Sequence, residues 1–185
     1  MTVVVADTSP LNYLTLIELI DVLPRLYGTV VIPQEVLAEL TSPAAPREVR
    51  GWAKTLPDWI DVRSVPVSDD PALSNLDAGE RSAIALAQSE TNALLLIDEA
   101  AGRREASRRG ISNTGTLGIL RAAALGELID LPSALGRLLA TNFRVSTSLA
   151  HDLLAEGLPL SLLKFSGGSV TFYATFSTDT AMPSC

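Results

Sequence analysis

"LLLIDEAAGRREASRRG", residues 94 to 110, is the stretch on which the fold turns. Leu94 to Ile97 is a continuous apolar run with an acid directly behind it, and it reads as a buried strand delivering Asp98 to its own end. A helix is predicted next, from about Glu99 to Arg109. A strand that enters the core and leaves on Asp98 and Glu99 raises a choice: the acids cap structure or they hold a metal. The start of the chain repeats the arrangement, because "VVVADTS", residues 3 to 9, closes an apolar strand over residues 3 to 6 with Asp7. A carboxylate behind a fully apolar strand is costly to bury unless it is paired or bound to a metal. Asp7 can also cap the following helix, although Ser9, just before Pro10, is the better cap by sequence.

On both sides of this stretch, strands and helices alternate. Pro10 opens a helix carrying Leu11, Leu14, Ile17 and Ile20 at helical spacing, interrupted by Pro24. "TVVI" at 29 to 32 is a second strand, and Pro33 sits in the first turn of a helix containing "QEVLAEL". "PREVRGWAKTL" predicts a short helix and "IDVRSV", residues 60 to 65, a third and more exposed strand. After the loop "PVSDDPALSN" a helix runs through Ala87. A short strand near Ile111 and helices over 116–125, 132–141 and 147–156 complete the pattern. It predicts an α/β fold with a mainly parallel sheet covered on both faces. In open sheets of that kind ligands gather outside the carboxyl ends of the strands, near the topological switch point. Asp7 and Asp98 occupy such ends, and they reach one ion if their strands are neighbours.

Composition narrows the function classes. A chain of 185 residues with 47% apolar content suits one globular domain with a full core. No apolar run approaches the ~18 residues of a membrane span, and the N-terminus lacks signal-peptide features. The single cysteine, Cys185, and single histidine, His151, exclude a disulfide framework and a cysteine or histidine metal cage. A cytoplasmic location is therefore expected. A net charge of −7 argues against broad attraction to nucleic acid, but a bound cation would neutralise any acids that serve as ligands. Among fourteen basic residues, Arg103, Arg104, Arg108 and Arg109 form the densest cluster. Glu99–Arg103 and Glu105–Arg109 have the spacing of a salt-bridged, solvated helix face. The functional alternative is that Arg103, Arg104 or Arg108 steers phosphates toward the acids.

Two further acids belong to the same question. Glu39 lies late in its helix and, taken alone, reads as a solvated acid. Glu80, in "LDAGERSAIALA", follows Asp77 by three residues, as in a capping box with Asp77 as the cap. Thr8, Ser9, Thr114 and Thr116 can orient water or phosphate, though a threonine beside Gly115 as readily caps a helix.

Four segments in series, "VVADTSPLNYLTLIELIDVLPRLYGTVVIPQEVLAEL", "LDAGERSAIALAQ", "LLLIDEAAGRREASRRGISNTGTLGILRAAALGELI" and "FRVSTSLAHDLLAEG", resemble PIN-domain proteins. The likeness is greatest to the toxin half of VapBC-type toxin–antitoxin modules and covers roughly residues 3 to 157. It implies a three-layer α/β/α fold, a PIN-like nuclease domain over residues 1–157 and an additional C-terminal extension over 158–185. It also implies hydrolysis of RNA phosphodiesters by a cluster of acids holding Mg2+ or Mn2+. Carried onto this chain, the catalytic acids are Asp7, Glu39, Glu80 and Asp98, with Glu99 equally eligible as the fourth. Asp7 and Asp98 are the expected direct ligands, with Glu80 and Glu99 in reach of the metal. Thr8, Ser9, Arg103, Arg104 and Thr116 are the candidate substrate contacts. The implied partners are RNA, a cognate antitoxin and a second copy of the chain; the early helix, with Leu14 and Ile17, is a candidate contact for that copy, although core packing is the commoner fate of such a face. The alternative is a PIN-like interaction module that binds an antitoxin-like partner without cutting RNA.

Other enzyme classes fit less well. A haloacid-dehalogenase-type phosphatase wants a second aspartate where Ser9 stands. A response-regulator receiver needs a lysine late in the sheet, whereas the chain has only Lys54 and Lys164. "GTLG" is too short for a phosphate-binding loop and lacks its lysine. The tail departs from the rest: beyond Lys164 it is nearly uncharged, and "SVTFYATFST" alternates like a strand. An edge strand, a cover for an apolar partner surface and disorder are all open for it.

Overall fold

A computed structural model describes residues 2–65 and 70–144, together with the backbone of 163–166 and 169–172. The helix expected over 147–156, with His151, lies outside the described residues. The chain divides into two compact units, Met1–Leu131 and Pro132–Cys185.

The first unit is built on five strands: β1 (Val3–Ala6), β2 (Val30–Pro33), β3 (Ile60–Arg63), β4 (Ala93–Leu96) and β5 (Ser112–Thr114). All pair in parallel, in the order β3-β2-β1-β4-β5. The helices between them are α1 (Thr8–Leu16), α2 (Val22–Tyr27), α3 (Gln34–Thr41), α4 (Arg47–Ala53), α5 (Ala78–Ser89) and α6 (Ala100–Arg108), and α7 (Thr116–Leu125) follows β5. This is the expected α/β architecture with an all-parallel sheet.

Strand alternation divides the core. Val5, Val31 and Leu95 stand in register and pack with Ala83, Ile84 and Ala87 of α5 and Ala106 of α6. Val4, Val30, Ile32 and Leu96 alternate with them and are also buried, so the central strands bury both faces. The two edge strands, β3 and β5, are mostly half-exposed. Leu14 and Ile17 are 0% and 2% exposed, so this face packs in the core and the two residues are not available as a dimer contact.

The early helix breaks sooner than Pro24. Glu18 turns left-handed at φ 57°, Leu19 N–H bonds to Leu14 C=O at 2.8 Å, and Glu18 N–H bonds to Thr15 C=O at 3.1 Å. That pair of bonds is a Schellman closure with glutamate in the position glycine usually takes. Pro24 falls in the first turns of α2, where its missing N–H is harmless. Pro33 ends β2 and caps α3 rather than lying inside that helix.

The second unit holds α8 (Leu131–Leu139), which begins at the boundary and accounts for the helix expected from 132. It also holds an antiparallel hairpin of β6 (Leu163–Ser166) and β7 (Ser169–Phe172).

Candidate active site

Strand order reverses at β1: the chain first builds outward to β2 and β3, then returns to place β4 on the other side. The switch point therefore lies between β1 and β4, the adjacency that the sequence left conditional. Asp7 N–H donates to Leu96 C=O at 2.9 Å, which holds the carboxyl ends of these strands together. Asp7 and Asp98 both leave the sheet there.

Asp7 does two things at once. It is the N-cap of α1, displacing the expected Ser9, which lies inside the helix and donates its backbone N–H to Asp7 Oδ2 at a long 3.5 Å. Its other oxygen, Oδ1, is buried with no hydrogen-bond partner. The side chain is 2% exposed, and burial raises its pKa to about 8. The backbone N–H of Thr8 opposes that rise, and the charges of Asp77 and Glu80 add to it.

Glu80 is similarly divided. With Asp77 it completes the expected capping box: Glu80 N–H reaches Asp77 Oδ1 at 2.8 Å and Asp77 N–H reaches Glu80 Oε2 at 3.1 Å. Its second oxygen, Oε1, is buried and unpartnered. Burial is the main cause of its raised pKa, with Asp77, Glu99 and Glu39 adding repulsion. The cap and the site share one carboxylate.

Glu39 is not a solvated acid. It accepts the Thr8 hydroxyl on Oε2 and the Gly79 backbone N–H on Oε1 at 2.9 Å, tying α1 and α3 to the first turn of α5. Asp98 reaches forward to α7, accepting Thr116 N–H on Oδ1 at 2.7 Å and the Thr116 hydroxyl on Oδ2 at 2.6 Å. Burial raises its pKa, Thr116 opposes the rise, and Arg103 opposes it more weakly. Glu99 is exposed and caps α6 only through its backbone. Thr8 and Thr116, candidates for substrate contact, thus have their hydroxyls on Glu39 and Asp98.

Three glycines fit these acids closely, and no local sequence pattern signals that role for any of them. A Cβ at Gly79 would lie 2.7 Å from Glu39 Oε2, one at Gly102 2.9 Å from Glu80 Oε1, and one at Gly115 2.6 Å from Asp98 Oδ1. Each carboxylate sits where a side chain would otherwise be.

Residues 3–157, most of the chain, match the family model of the PIN domain. The chain belongs to the PIN-domain family. That gives this PIN domain a nuclease-type fold, consistent with hydrolytic chemistry and with the divalent cations such nucleases typically use. No curated protein matches the chain at a significant level.

The acids of this PIN domain can be tested against a cation directly. As the side chains stand, no three acids among the described residues are close enough to share one ion. Magnesium does not need three, since it keeps several waters and is commonly held by one or two carboxylates. The buried, unpartnered oxygens of Asp7 and Glu80 are hard donors of the right kind. Asp98 has both oxygens engaged, yet a carboxylate offers about four lone-pair positions, so it can still accept a metal or its water. The donor set fits a small hard cation.

The arginines separate into two groups. Glu105 pairs with Arg108 at 2.7 Å and with Arg109 at 2.6 Å, and Arg109 also reaches Asp70 at 2.5 Å and Gln88 at 2.8 Å. Those two guanidiniums hold the Glu105 carboxyl down at about 2. Arg108 and Arg109 are therefore structural, which removes Arg108 from the steering group. The expected Glu99–Arg103 ion pair does not form. Arg103 and Arg104 carry no ion pair among the described residues and line an open cavity of about 500 Å³ with Ser107 and Asn113. No helix among the described residues is long and apolar enough to cross a membrane.

Proposed function

We propose that this PIN domain is a Mg2+- or Mn2+-dependent endoribonuclease, acting as the toxin of a toxin–antitoxin pair. The observation that carries this reading is the pair of buried, unpartnered oxygens, Asp7 Oδ1 and Glu80 Oε1, at the β1–β4 switch point. Two desolvated acids facing a site without donors are unfavourable unless a cation or a proton joins them. Asp7 and Asp98 would hold the ion, with Glu80 and Glu99 beside them. When bound, it would supply positive charge against the phosphate and make a coordinated water more acidic.

The chain's own groups would do the rest. Glu80, whose buried Oε1 has no partner and whose pKa burial raises, is suited to take a proton from the attacking water. Glu39 would act by position, tying the first turn of α1, capped by Asp7, to the first turn of α5, which carries Glu80. Arg103 and Arg104 would attract the RNA phosphate, Arg103 being near enough to Asp98 to influence its charge. Ser9, half-exposed, would border the substrate, whereas the fully buried Thr116 would act only through Asp98. A cognate antitoxin and a homodimer belong to the same reading.

The alternative of a silent binding module is favoured by one observation, the engagement of both Asp98 oxygens by Thr116. Incubating the antitoxin-free protein with varied RNAs and Mn2+ separates the two. EDTA-sensitive cleavage is expected, and no cleavage of any RNA would transfer the assignment to the binding module.

A further inference from the structure

The cluster of arginines densest in sequence is not the richest in unneutralised charge. With Arg108 and Arg109 engaged by Glu105 and Asp70, the longer stripe of open cations lies on α4. Arg47, Arg50 and Lys54 recur there at i, i+3 and i+7, the spacing of one helix face. Arg47 and Lys54 are exposed and Arg50 is half-exposed. None of the three forms an ion pair among the described residues, and the Arg50 guanidinium donates to Pro43 C=O at 3.2 Å. They line a groove of about 510 Å³ with Thr41, Pro43 and Gly51. In a chain of net charge −7 this is a local reversal of sign.

Gly51 gives the stripe its shape. It falls between the cations on the same face, inside the helix, where glycine costs about 1 kcal/mol relative to alanine. Packing does not demand that glycine, because a Cβ there would meet nothing within 4 Å. What its absence of a side chain does is leave the groove open between Arg47 and Lys54. Thr41, at one end of the groove, is two residues beyond Glu39 on α3, so the groove and the acids share an element.

We propose that the α4 groove is a binding surface for the phosphate backbone of single-stranded RNA, separate from the Arg103–Arg104 cavity. A row of cations seven residues long, about 10 Å along a helix axis, matches a ligand whose charges are themselves in a row better than it matches one small anion. This rests on the ribonuclease reading for the identity of the polyanion.

The test uses the full chain and a fluorescently labelled poly(U) oligonucleotide, with binding followed by anisotropy in EDTA across a salt series. Replacing Arg47, Arg50 and Lys54 together by alanine should weaken binding and lower the slope of log K against log salt by about 2, at ~0.7 per lost phosphate contact. Gly51→Leu fills the groove without changing charge, and it should weaken binding several-fold with Tm held or raised. In cleavage assays the triple variant should raise KM with kcat unchanged. A triple variant with the parent's salt slope and KM overturns the inference even if the parent cleaves RNA, and a Gly51→Leu variant that binds like the parent overturns the groove as its seat. A parent that binds poly(U) through the stripe but cleaves nothing upholds the surface and overturns the nuclease reading. Polyglutamate binding the stripe in preference to poly(U) assigns it to an acidic protein segment and overturns the RNA proposal.

Discussion

Thr116 closes on Asp98 with both of its donors, the backbone N–H at 2.7 Å and the hydroxyl at 2.6 Å, across eighteen residues of chain. Asp98 is thereby fixed to the first turn of α7, and Thr116 is itself fully buried. Thr116→Val keeps the shape and the N–H bond but removes the donor to Asp98 Oδ2. We expect a loss of ~1–3 kcal/mol, the usual cost of an unsatisfied buried acceptor. Thr116→Ser should retain most of the stability. Urea melts of both variants at neutral pH check this, and equal melts would mean that the hydroxyl contributes nothing.

Asp7 should make the metal-free protein less stable as pH rises. Its folded pKa, about 8, lies above its ordinary value of 3.8, so the native state holds a proton that the unfolded chain has already released. Stability from this group is full below about pH 4 and falls between there and pH 8, with a slope approaching ~1.4 kcal/mol per pH unit. Asp7→Asn should flatten the slope and leave the metal-free protein as stable at pH 8 or more so, since asparagine caps a helix as well as aspartate does. Thermal melts in EDTA from pH 5 to 8 provide the measurement. An Asp7→Asn variant much weaker than the parent at pH 8 would assign the residue to capping alone.

Added Mn2+ or Mg2+ should reverse that trend. A cation that binds the native state raises Tm by mass action, and it does so more at pH 8, where less proton must be displaced from Asp7. The Tm gain should shrink sharply in Asp7→Asn. A gain that is independent of both pH and Asp7 would place the ion elsewhere.

Gly115→Ala should damage the site more than its size suggests. The new Cβ would lie 2.6 Å from Asp98 Oδ1, and that carboxylate cannot swing aside without giving up Thr116. Overpacking of this kind costs ~1–3 kcal/mol, and metal affinity should fall with it. Gly126→Ala is the control, since its φ is −83° and its nearest neighbours would be at an ordinary 3.5 Å. Calorimetric titration with Mn2+ distinguishes the two, and equal affinities would remove Gly115 from the site.

These glycines mark where reading the sequence reached its limit. β1, β4 and α7 were legible because apolar runs and caps are local, and the Asp77–Glu80 box was legible because its partners are three residues apart. The work of Gly79 is done against Glu39, forty residues away, and Gly102 stands against Glu80 on another helix. Nothing in their own surroundings in sequence signals that. The same holds for Arg109, whose partner Asp70 lies thirty-nine residues upstream. The adjacency of β1 and β4, on which the site depends, is likewise non-local, because periodicity gives the strands but not their order.

The choice between Asp98 and Glu99 decides how the proposed ion is held. Asp98 leaves the end of β4 and is fixed by Thr116, whereas Glu99 is exposed and adds only its charge to Glu80 and Asp98. Asp98→Asn should therefore lower Mn2+-dependent RNA cleavage by ~10²-fold or more, as when a preorganised charge is removed from a site, with the far-UV spectrum retained. Glu99→Gln should lower it much less. Ca2+ should bind the parent without supporting cleavage, because its looser coordination orients water poorly. If Glu99→Gln alone abolishes cleavage, Glu99 is the fourth acid and the Asp98–Thr116 pair is a helix cap; if both variants are silent, the two acids act as a unit at the end of β4.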